Sequence, residues 1–236
     1  MLITQRYGLK DFEIGPRLGR GAVGKVFKVI KKDTGKCYAM KIVEKKKFLP
    51  SKRSEPSFKL RHLITERNVL LNDHPFLATL HYSFQTKSRI YLVMDYIQGG
   101  SLKLRKRLHN HCIFPKKHIR FIAAELVEAL GFLHSCGVVY RDLKAENVLI
   151  DSEGHATLTD FGICKDVGQM EGGRTNSFCG TPSHLAPEVI LHQSYSYEVD
   201  WWSLGVLLYE MATGTVSSAS CSEASRSIIS YSNGSL

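Results

Sequence analysis

The segment "VVYRDLKAENVLI", residues 138–150, places a dense group of polar side chains between two short apolar stretches. The charged and amide residues in it are Arg141, Asp142, Lys144, Glu146 and Asn147. So many charges are costly to bury, and they have no purpose if water alone surrounds them. Polar residues flanked by apolar anchors are typical of a reactive loop on a rigid scaffold. We therefore expect this segment to carry the chemistry of the protein.

Length and composition limit the class of protein. A chain of 236 residues can form one large domain or two small ones, and 43% apolar with 23% charged residues is ordinary for a globular protein. No apolar run approaches the roughly 18 residues of a membrane span, and the first residues lack a signal-peptide core. The 6 cysteines form no regular framework, which favours reduced thiols. We expect a cytoplasmic or nuclear protein.

The net charge of +10 is unevenly distributed, since residues 101–120 contain many lysines and arginines and no acid. Such a segment binds nucleic acid, anionic lipid or an acidic partner, or it forms a solvated basic face. We favour the solvated face, because no nucleic-acid module accompanies the charge. His109, His111 and Cys112 lack a second ligand pair at a zinc-site spacing, so we do not expect a metal there.

Residues 12 to about 96 have a mostly strand-like pattern. The stretches "GKVFKVIKK" and "KCYAMKIV" alternate around the turn "KDTG" and predict a hairpin, and "ATLHYSFQ" with "RIYLVMDY" predicts a second one. Between the hairpins, the apolar residues from Leu60 to Leu71 fit one face of a helix.

The pattern becomes helical after residue 100. The stretch "PKKHIRFIAAELVEALGFLHS" predicts a helix with Pro115 in its first turn, and "NVLI" and "ATLTD" predict two short strands. "VDWWSLGVLLYEMATG" predicts a second helix that is apolar nearly all round and therefore buried. The serine-rich residues 215–236 predict disorder. The whole is an α+β chain with two lobes, and we expect a ligand cleft between them.

Gly19, Gly21 and Gly24 have the spacing G-x-G-x-x-G. A dinucleotide-binding fold uses the same spacing, but there the glycines open a helix, whereas a strand-like stretch follows here. A glycine-rich hairpin turn that covers phosphates fits better. Lys41 lies on an apolar strand, and two interpretations are open. It is a lysine on a sheet edge, or Glu66 from the predicted helix holds its ammonium in place for an anionic ligand.

Asp160 ends the predicted strand "ATLTD", so we expect it to project into the same cleft as Asn147. Carboxylate and amide oxygens suit magnesium bound to a nucleotide. Asp142 would then accept a proton from an attacking hydroxyl, and Lys144 would stabilise the transferring phosphoryl group.

Several short motifs follow one another in a fixed order along the chain. They are G-x-G-x-x-G-x-V (Gly19 to Val26), the strand lysine Lys41, the helix glutamate Glu66, Y-R-D-L-K-x-E-N (Tyr140 to Asn147), D-F-G (Asp160 to Gly162) and A-P-E (Ala186 to Glu188). In this ordered set the chain resembles the eukaryotic protein kinases. "YRDLKAEN" and "FCGTP" resemble the AGC group of serine/threonine kinases, and the chain is most similar to its ribosomal-protein-kinase-like members.

The resemblance implies a bilobal kinase fold with a small antiparallel-sheet N-lobe containing one main helix and a mostly helical C-lobe. Residues 1–11 would be an N-terminal extension, 12–214 the kinase domain with its lobes meeting near residue 97, and 215–236 a tail. The family continues with further helices after the position of Gly214, so we expect an incomplete C-lobe.

The resemblance also implies roles for individual residues. Asp142 would be the catalytic base, Lys144 and Thr181 would support the substrate site, and Asn147 and Asp160 would hold magnesium. The residues expected at ATP are Leu18, Gly19, Gly21, Gly24, Val26, Ala39, Lys41, Glu66, Met94, Asp95, Ile97, Leu149 and Asp160. Ser177 matches the position at which an upstream kinase activates AGC kinases, with His62, Arg141 and Lys165 as basic contacts to its phosphate.

Three departures from the family pattern affect the interpretation. Ser101 replaces a glutamate used with basic substrates, Ser183 and His184 replace glutamate and tyrosine, and we expect the family's last helices to be missing. The favoured function is ATP-dependent phosphorylation of serine or threonine in proteins. The alternative is a catalytically weak or silent binding module, with a partner or chaperone covering the incomplete lobe.

Overall fold

The computed structural model describes residues 7–20, 24–47, 65–66, 68–69, 71, 73–108, 113–168 and 170–215. The chain divides into two compact units, residues 1–96 and 97–236. No helix in the described part of the chain combines the length and apolar character that a membrane crossing requires.

The first unit contains a five-stranded antiparallel sheet with the strand order β1-β2-β3-β5-β4. The strands are β1 (Phe12–Arg20), β2 (Gly24–Lys31), β3 (Cys37–Glu44), β4 (Leu80–Gln85) and β5 (Arg89–Asp95). β2 pairs with β3, and β4 pairs with β5, so both predicted hairpins are confirmed. The sheet brings Lys41 opposite Val26 on one side and Leu92 on the other.

Aromatic and β-branched side chains fill one face of this sheet. Val29, Met40 and Val93 are completely buried, and the Phe84 ring stacks on Tyr91 with 4.9 Å between the ring centroids. The alternation of these residues along the strands explains the strand-like pattern of the sequence. Each large buried side chain contributes about 1.5–3 kcal/mol to folding.

The helix predicted between the hairpins is described at five residues only, and the last of them, Leu71, lies in a turn and is 54% exposed. Residues 65–66 and 68–69 are helical, with Glu66 and Val69 buried. The predicted apolar positions Leu60, Leu63 and Leu70 lie outside the described residues.

The second unit is mostly helical. Its helices are α1 (Leu102–Leu108), α2 (Lys116–Ser135), α3 (Pro187–Ile190) and α4 (Glu198–Thr213), and its short strands are β6 (Val138–Val139), β7 (Val148–Ile150), β8 (Ala156–Leu158) and β9 (Lys165–Asp166). β7 pairs with β8 as predicted, and β6 pairs with β9. An antiparallel sheet followed by helices is the predicted fold class.

α2 forms because its apolar residues recur at helical spacing. The face from Ile122 through Leu126 to Leu133 is buried, and the helix packs on α4, β6 and β8. Pro115 lies immediately before the helix as its N-cap, not in the first turn. Its carbonyl still accepts the amide of Ile119, so proline begins the helix without a lost hydrogen bond.

The basic segment after residue 100 is a helix that periodicity did not predict, and most of its cations have partners. Lys103 is 2.5 Å from Glu146, and Lys106 is 2.8 Å from Glu210. Arg105 donates to the carbonyl oxygens of Gly99 and Asp151. Lys103 and Arg107 are exposed, as expected of a solvated face, whereas Arg105 and Lys106 are half-buried against their partners.

α4 differs from the fully buried helix that the sequence predicts. Val199, Leu204 and Leu207 are buried, but Trp201, Trp202 and Tyr209 are 41%, 44% and 49% exposed. The helix is apolar on more sides than the described residues cover. The predicted disordered tail, from residue 216 onward, lies outside the described residues.

The Asp200 side chain at the start of α4 is completely buried and fixes the loop after β6. Its carboxylate accepts the backbone amides of Tyr140 and Arg141 at 2.8 and 2.7 Å, and His134 Nε2 lies 2.8 Å away. Arg141 has φ 72°, a left-handed conformation that a non-glycine residue rarely adopts. The buried carboxylate therefore holds the loop in a conformation that the chain does not favour by itself.

We expect Asp200→Ala to destabilise the chain severely, because two buried amides lose their acceptor. An unsatisfied buried group costs about 1–3 kcal/mol, so the loss should be roughly 2–6 kcal/mol in urea unfolding followed by circular dichroism. Asp151→Ala is the control, since Asp151 likewise accepts backbone amides, three of them, but in the partly exposed turn after β7. Water can replace that carboxylate, so equal losses in the two variants would contradict the role given to Asp200.

Candidate active site

The loop between β6 and β7 presents Asp142 in a closed network with two neighbouring side chains. Lys144 Nζ donates to Asp142 Oδ2 at 2.7 Å and to Thr181 Oγ1 at 2.8 Å. Thr181 Oγ1 donates to Asp142 Oδ1 at 2.6 Å. The Asp142 side chain is 13% exposed, so the carboxylate is fixed in orientation yet reachable. Such an oriented carboxylate can accept a proton from a hydroxyl.

Asn147 is held at the other end of the same loop. Its Nδ2 donates to the backbone oxygen of Asp142 at 2.8 Å and to Asp142 Oδ2 at 2.9 Å. Because both bonds use the amide nitrogen, the orientation of the side chain is set and its oxygen remains the atom available to a cation. Asn147 is 6% exposed, so these two hydrogen bonds are shielded from water.

Asp160 follows β8 in a backbone conformation that is unusual for aspartate. Its φ is 56°, and the preceding residue, Thr159, donates its amide to the Asn147 carbonyl at 2.9 Å. This bond ties the start of the D-F-G segment to the end of the loop. Sparsely populated backbone conformations cluster at functional sites.

Asn147 and Asp160 fit magnesium by the chemistry of their donors. An amide oxygen and a carboxylate are hard ligands, and magnesium is commonly held by one or two such groups, with waters and phosphate oxygens completing the octahedron. Within the described residues no cluster of three or more His, Cys, Asp or Glu could hold a metal by itself. His109, His111 and Cys112, where we do not expect a metal, lie outside the described residues.

In the first unit, Lys41 and Glu66 form a buried ion pair. Lys41 Nζ is 2.5 Å from Glu66 Oε1, and the side chains are 6% and 4% exposed. The structure therefore places Lys41 inside the sheet and not at its edge. A buried pair is expensive to desolvate, so it is weak evidence for stability and better evidence for a positioned cation.

Gly19 lies in β1, and Gly24 begins β2. Gly19 pairs with Val26, and Leu18 is exposed. A Cβ at Gly24 would lie 2.5 Å from the Ile42 carbonyl oxygen, so only glycine lets β2 approach β3 this closely. Gly21 lies outside the described residues.

Of the remaining residues predicted at ATP, some belong to the first unit and some to the second. In the first unit, Ala39 and Met94 are buried and paired across β3 and β5, and the Asp95 carboxylate accepts the Thr79 amide and contacts His81. In the second unit, Ile97 and Leu149 are half-buried, and Leu149 forms a bridge with Ser101.

Ser177 lies beside two of the three basic residues predicted for it. Lys165 Nζ is 3.0 Å from Ser177 Oγ and 2.6 Å from Thr175 Oγ1. Arg141 Nη1 donates to the Tyr195 hydroxyl at 3.3 Å, and that hydroxyl donates to the Ser177 carbonyl at 2.6 Å. The third, His62, lies outside the described residues.

Sequence reasoning missed Tyr195 and Thr175 at this position. Tyr195 is 1% exposed, and burial raises its pKa to about 12, which keeps the hydroxyl protonated and able to donate. Thr175 and Tyr195 also pair through their backbones. Only the proximity of Thr175 to Ser177 in the sequence was a usable signal, because Tyr195 belongs to no motif.

Comparison with known proteins agrees with the geometry of the site. Residues 12–232 match the family described as "Protein kinase domain". The chain is 46% identical over 212 residues to a RAC family serine/threonine-protein kinase homolog of Dictyostelium discoideum, covering 89% of this chain and 46% of that protein. It is 49% identical over 206 residues to the serine/threonine-protein kinase Sgk3 of Rattus norvegicus, covering 86% of this chain and 40% of that protein.

A third relative, Sgk1 of Danio rerio, is 48% identical over 206 residues, covering 86% of this chain and 46% of its own length. The chain thus spans less than half the length of these curated relatives. The match over 12–232 includes the Asp142 network, the Lys41–Glu66 pair and the D-F-G segment. The chain belongs to the protein kinase domain family.

Proposed function

We propose that the chain transfers the γ-phosphoryl group of ATP to serine or threonine hydroxyls of protein substrates, as a kinase of the AGC group. The closed network of Asp142, Lys144 and Thr181 carries this proposal, because it fixes one carboxylate and one ammonium together. The relatives named as serine/threonine kinases support the class of acceptor. A finer placement near ribosomal-protein-kinase-like members rests on the sequence resemblance.

The chemistry assigns a separate task to each residue of the network. The Asp142 carboxylate accepts three hydrogen bonds, from Thr181, Lys144 and Asn147, so a lone pair remains for a substrate hydroxyl. As the hydroxyl oxygen bonds to phosphorus and the bond to the leaving diphosphate breaks, the hydroxyl proton passes to Asp142. Lys144 supplies positive charge beside the transferring group.

Each unit offers its own proposed nucleotide contacts. Lys41, oriented by Glu66, offers its ammonium to phosphate oxygens, and Asn147 and Asp160 offer oxygen ligands to magnesium. Magnesium would neutralise the charge that develops on the phosphate oxygens. Most catalysis of phosphoryl transfer is positioning and electrostatic stabilisation, which these fixed groups can supply.

We also propose that phosphorylation of Ser177 by an upstream kinase orders the segment around it. A phosphate there would meet Lys165 directly and Arg141 by way of Tyr195. It would carry nearly two negative charges into a site that already holds a cation.

Domain limits, partners and location remain proposals from the sequence. We propose an extension at 1–11, a kinase domain at 12–214 and a tail at 215–236. We also propose a cytoplasmic or nuclear location, to be tested by microscopy of tagged chain. A partner or chaperone for α4 is proposed because three of its aromatic residues are exposed.

We expect the chain to be stabilised thermally by magnesium ATP, and Lys41→Met should weaken that binding. The variant loses a charged contact of about 1.5–3 kcal/mol, which corresponds to a roughly ten- to hundredfold change in Kd. Lys45→Met is the control, since Lys45 bonds to Gln85 instead of a carboxylate. Asp160→Asn tests the magnesium contact without removing the Lys41–Glu66 pair. Absence of any ATP-dependent shift in the unmutated chain would contradict nucleotide binding.

We expect low or no turnover from the chain expressed alone, because exposed Trp201, Trp202 and Tyr209 leave α4 incompletely packed. The measurement is transfer of radiolabel from ATP to a protein substrate, with Asp142→Asn as the blank. Incorporation above the blank supports the transferase, however slow it is. Turnover comparable with other serine/threonine kinases would show the expectation of weak activity to be wrong. ATP binding with no transfer at all, even with the α4 face covered by a partner, would favour the silent binding module.

We expect Ser177→Ala to lower activity and to increase proteolysis between residues 166 and 180, because no phosphate can then recruit Lys165 and Arg141. Thr175→Ala is the matched control, since it removes a neighbouring hydroxyl that also contacts Lys165. Unchanged activity and unchanged protease sensitivity in Ser177→Ala would exclude this regulation.

A further inference from the structure

The first turn of α1 is attached to the loop that carries Asp142. Lys103 donates its backbone amide to the Ala145 carbonyl at 3.0 Å. Its side chain contacts the same loop, where Nζ is 2.5 Å from Glu146 Oε1. The Lys103 and Glu146 side chains are 46% and 43% exposed, so this ion pair lies at the surface. α1 therefore places a cation directly against the loop of the proposed active site.

Glu146 lies close to the position that an acceptor hydroxyl would occupy. The next residue, Asn147, donates its side-chain amide to Asp142 Oδ2 at 2.9 Å and its backbone amide to the Lys144 carbonyl at 3.0 Å. The loop thus turns back on itself, and Glu146 lies within the length of a few peptide residues of Asp142. A charge at Glu146 can therefore act on side chains that flank the acceptor residue of a substrate.

The negative charge of Glu146 is already compensated inside the protein. Partial burial raises the pKa of the Glu146 carboxyl group, but the hydrogen bond from Lys103 and the positive charge of Lys144 act against it, and the pKa is lowered overall. The carboxylate is therefore ionised at neutral pH. Opposite charges at contact distance largely cancel for a third charge nearby. Glu146 is thus a poor partner for an arginine of a substrate, although its carboxylate reaches the surface.

α1 adds positive charge beside the loop and contributes no acid, since residues 101–107 contain neither Asp nor Glu. Arg107 follows Lys103 by four residues, so the two exposed side chains lie on one face of the helix. Lys106 belongs to a different contact, with Glu210, in which the side chains are only 14% and 12% exposed. The Lys103 ammonium has three N–H donors, and the bond to Glu146 needs one of them. The exposed face of α1 therefore offers charge and hydrogen-bond donors to a carboxylate.

We propose that Lys103 is a specificity-determining residue, which makes the chain favour acceptor segments with acidic residues beside the serine or threonine over segments with arginine there. A substrate carboxylate would contact Lys103 and Arg107, whereas a substrate arginine would meet their repulsion and find Glu146 already paired. This inference deepens the proposed function and rests on it for the position of the acceptor hydroxyl at Asp142.

The first test compares two fluorescently labelled serine peptides by anisotropy with the full chain at low salt. The peptides are identical except for glutamate or arginine at the second and third positions on each side of the serine. We expect the glutamate peptide to bind about two- to fivefold more tightly, the size of an exposed ion pair, and the difference to shrink as salt screens it. Tighter binding of the arginine peptide, equal binding of both or binding of neither would overturn the proposal.

The second test changes the charge of the pair. Lys103→Met leaves Glu146 without its cation, so we expect about two- to fivefold tighter binding of the arginine peptide and weaker binding of the glutamate peptide. Lys106→Met is the matched control, because it removes the same charge from the same helix but from the half-buried contact with Glu210. Equal shifts in the two variants would show a general charge effect and overturn the assignment to Lys103, as would no shift in Lys103→Met.

Glu146→Gln decides if Lys103→Met does not fold. It leaves the Lys103 charge uncompensated, so it should strengthen the glutamate peptide and weaken the arginine peptide, and the opposite shifts would overturn the proposal. The same peptides in the radiolabel assay separate this inference from the proposed function. The expected order of binding without any transfer would contradict the kinase and leave the charge preference intact. Transfer to both peptides with equal KM would overturn the charge preference and leave the kinase intact.

Discussion

The geometry of the second unit depends on one buried carboxylate. Asp200 holds the amides of two successive residues, Tyr140 and Arg141, and the second of these is in the left-handed region. A backbone conformation of this kind costs of order 1–3 kcal/mol and persists only where its surroundings determine it. The carboxylate is fully buried, so no water competes for these bonds.

The strained residue gives the loop a side chain that connects distant segments. The Arg141 guanidinium donates to the Ile163 carbonyl after the D-F-G segment and to the Tyr195 hydroxyl beyond α3. Asp142, the next residue, reaches Lys144 and Thr181. The strained conformation of Arg141 thus helps to fix the positions of the loop, the D-F-G segment and the segment from Ser177 to Thr181. This is how a short irregular stretch obtains the rigidity that positioning requires.

Local patterns predicted those parts of the fold whose stability is local. Alternation predicted the β2–β3 and β4–β5 hairpins, and helical spacing predicted α2. The fixed motif order predicted the family and which residues would come together at Asp142. Periodicity did not predict α1, because that helix has little apolar spacing and its lysines pair with Glu146 and Glu210, 43 and 104 residues away. The exposed side of α4 and the contacts of Tyr195 also depend on tertiary packing, which no local pattern records.

The pairing of cations on α1 changes how the protein interacts with charged surfaces at a distance. A formal charge of +10 suggests a strong positive field, but Lys103 and Lys106 each lie against a glutamate. An ion pair presents a dipole, whose potential falls off faster with distance than that of a single charge. The long-range field of this region therefore arises more from Lys116, Lys117 and Arg120, which are exposed at the start of α2. Retention on a polyanionic matrix at moderate salt should depend on that end of α2, although α1 has the denser run of basic residues.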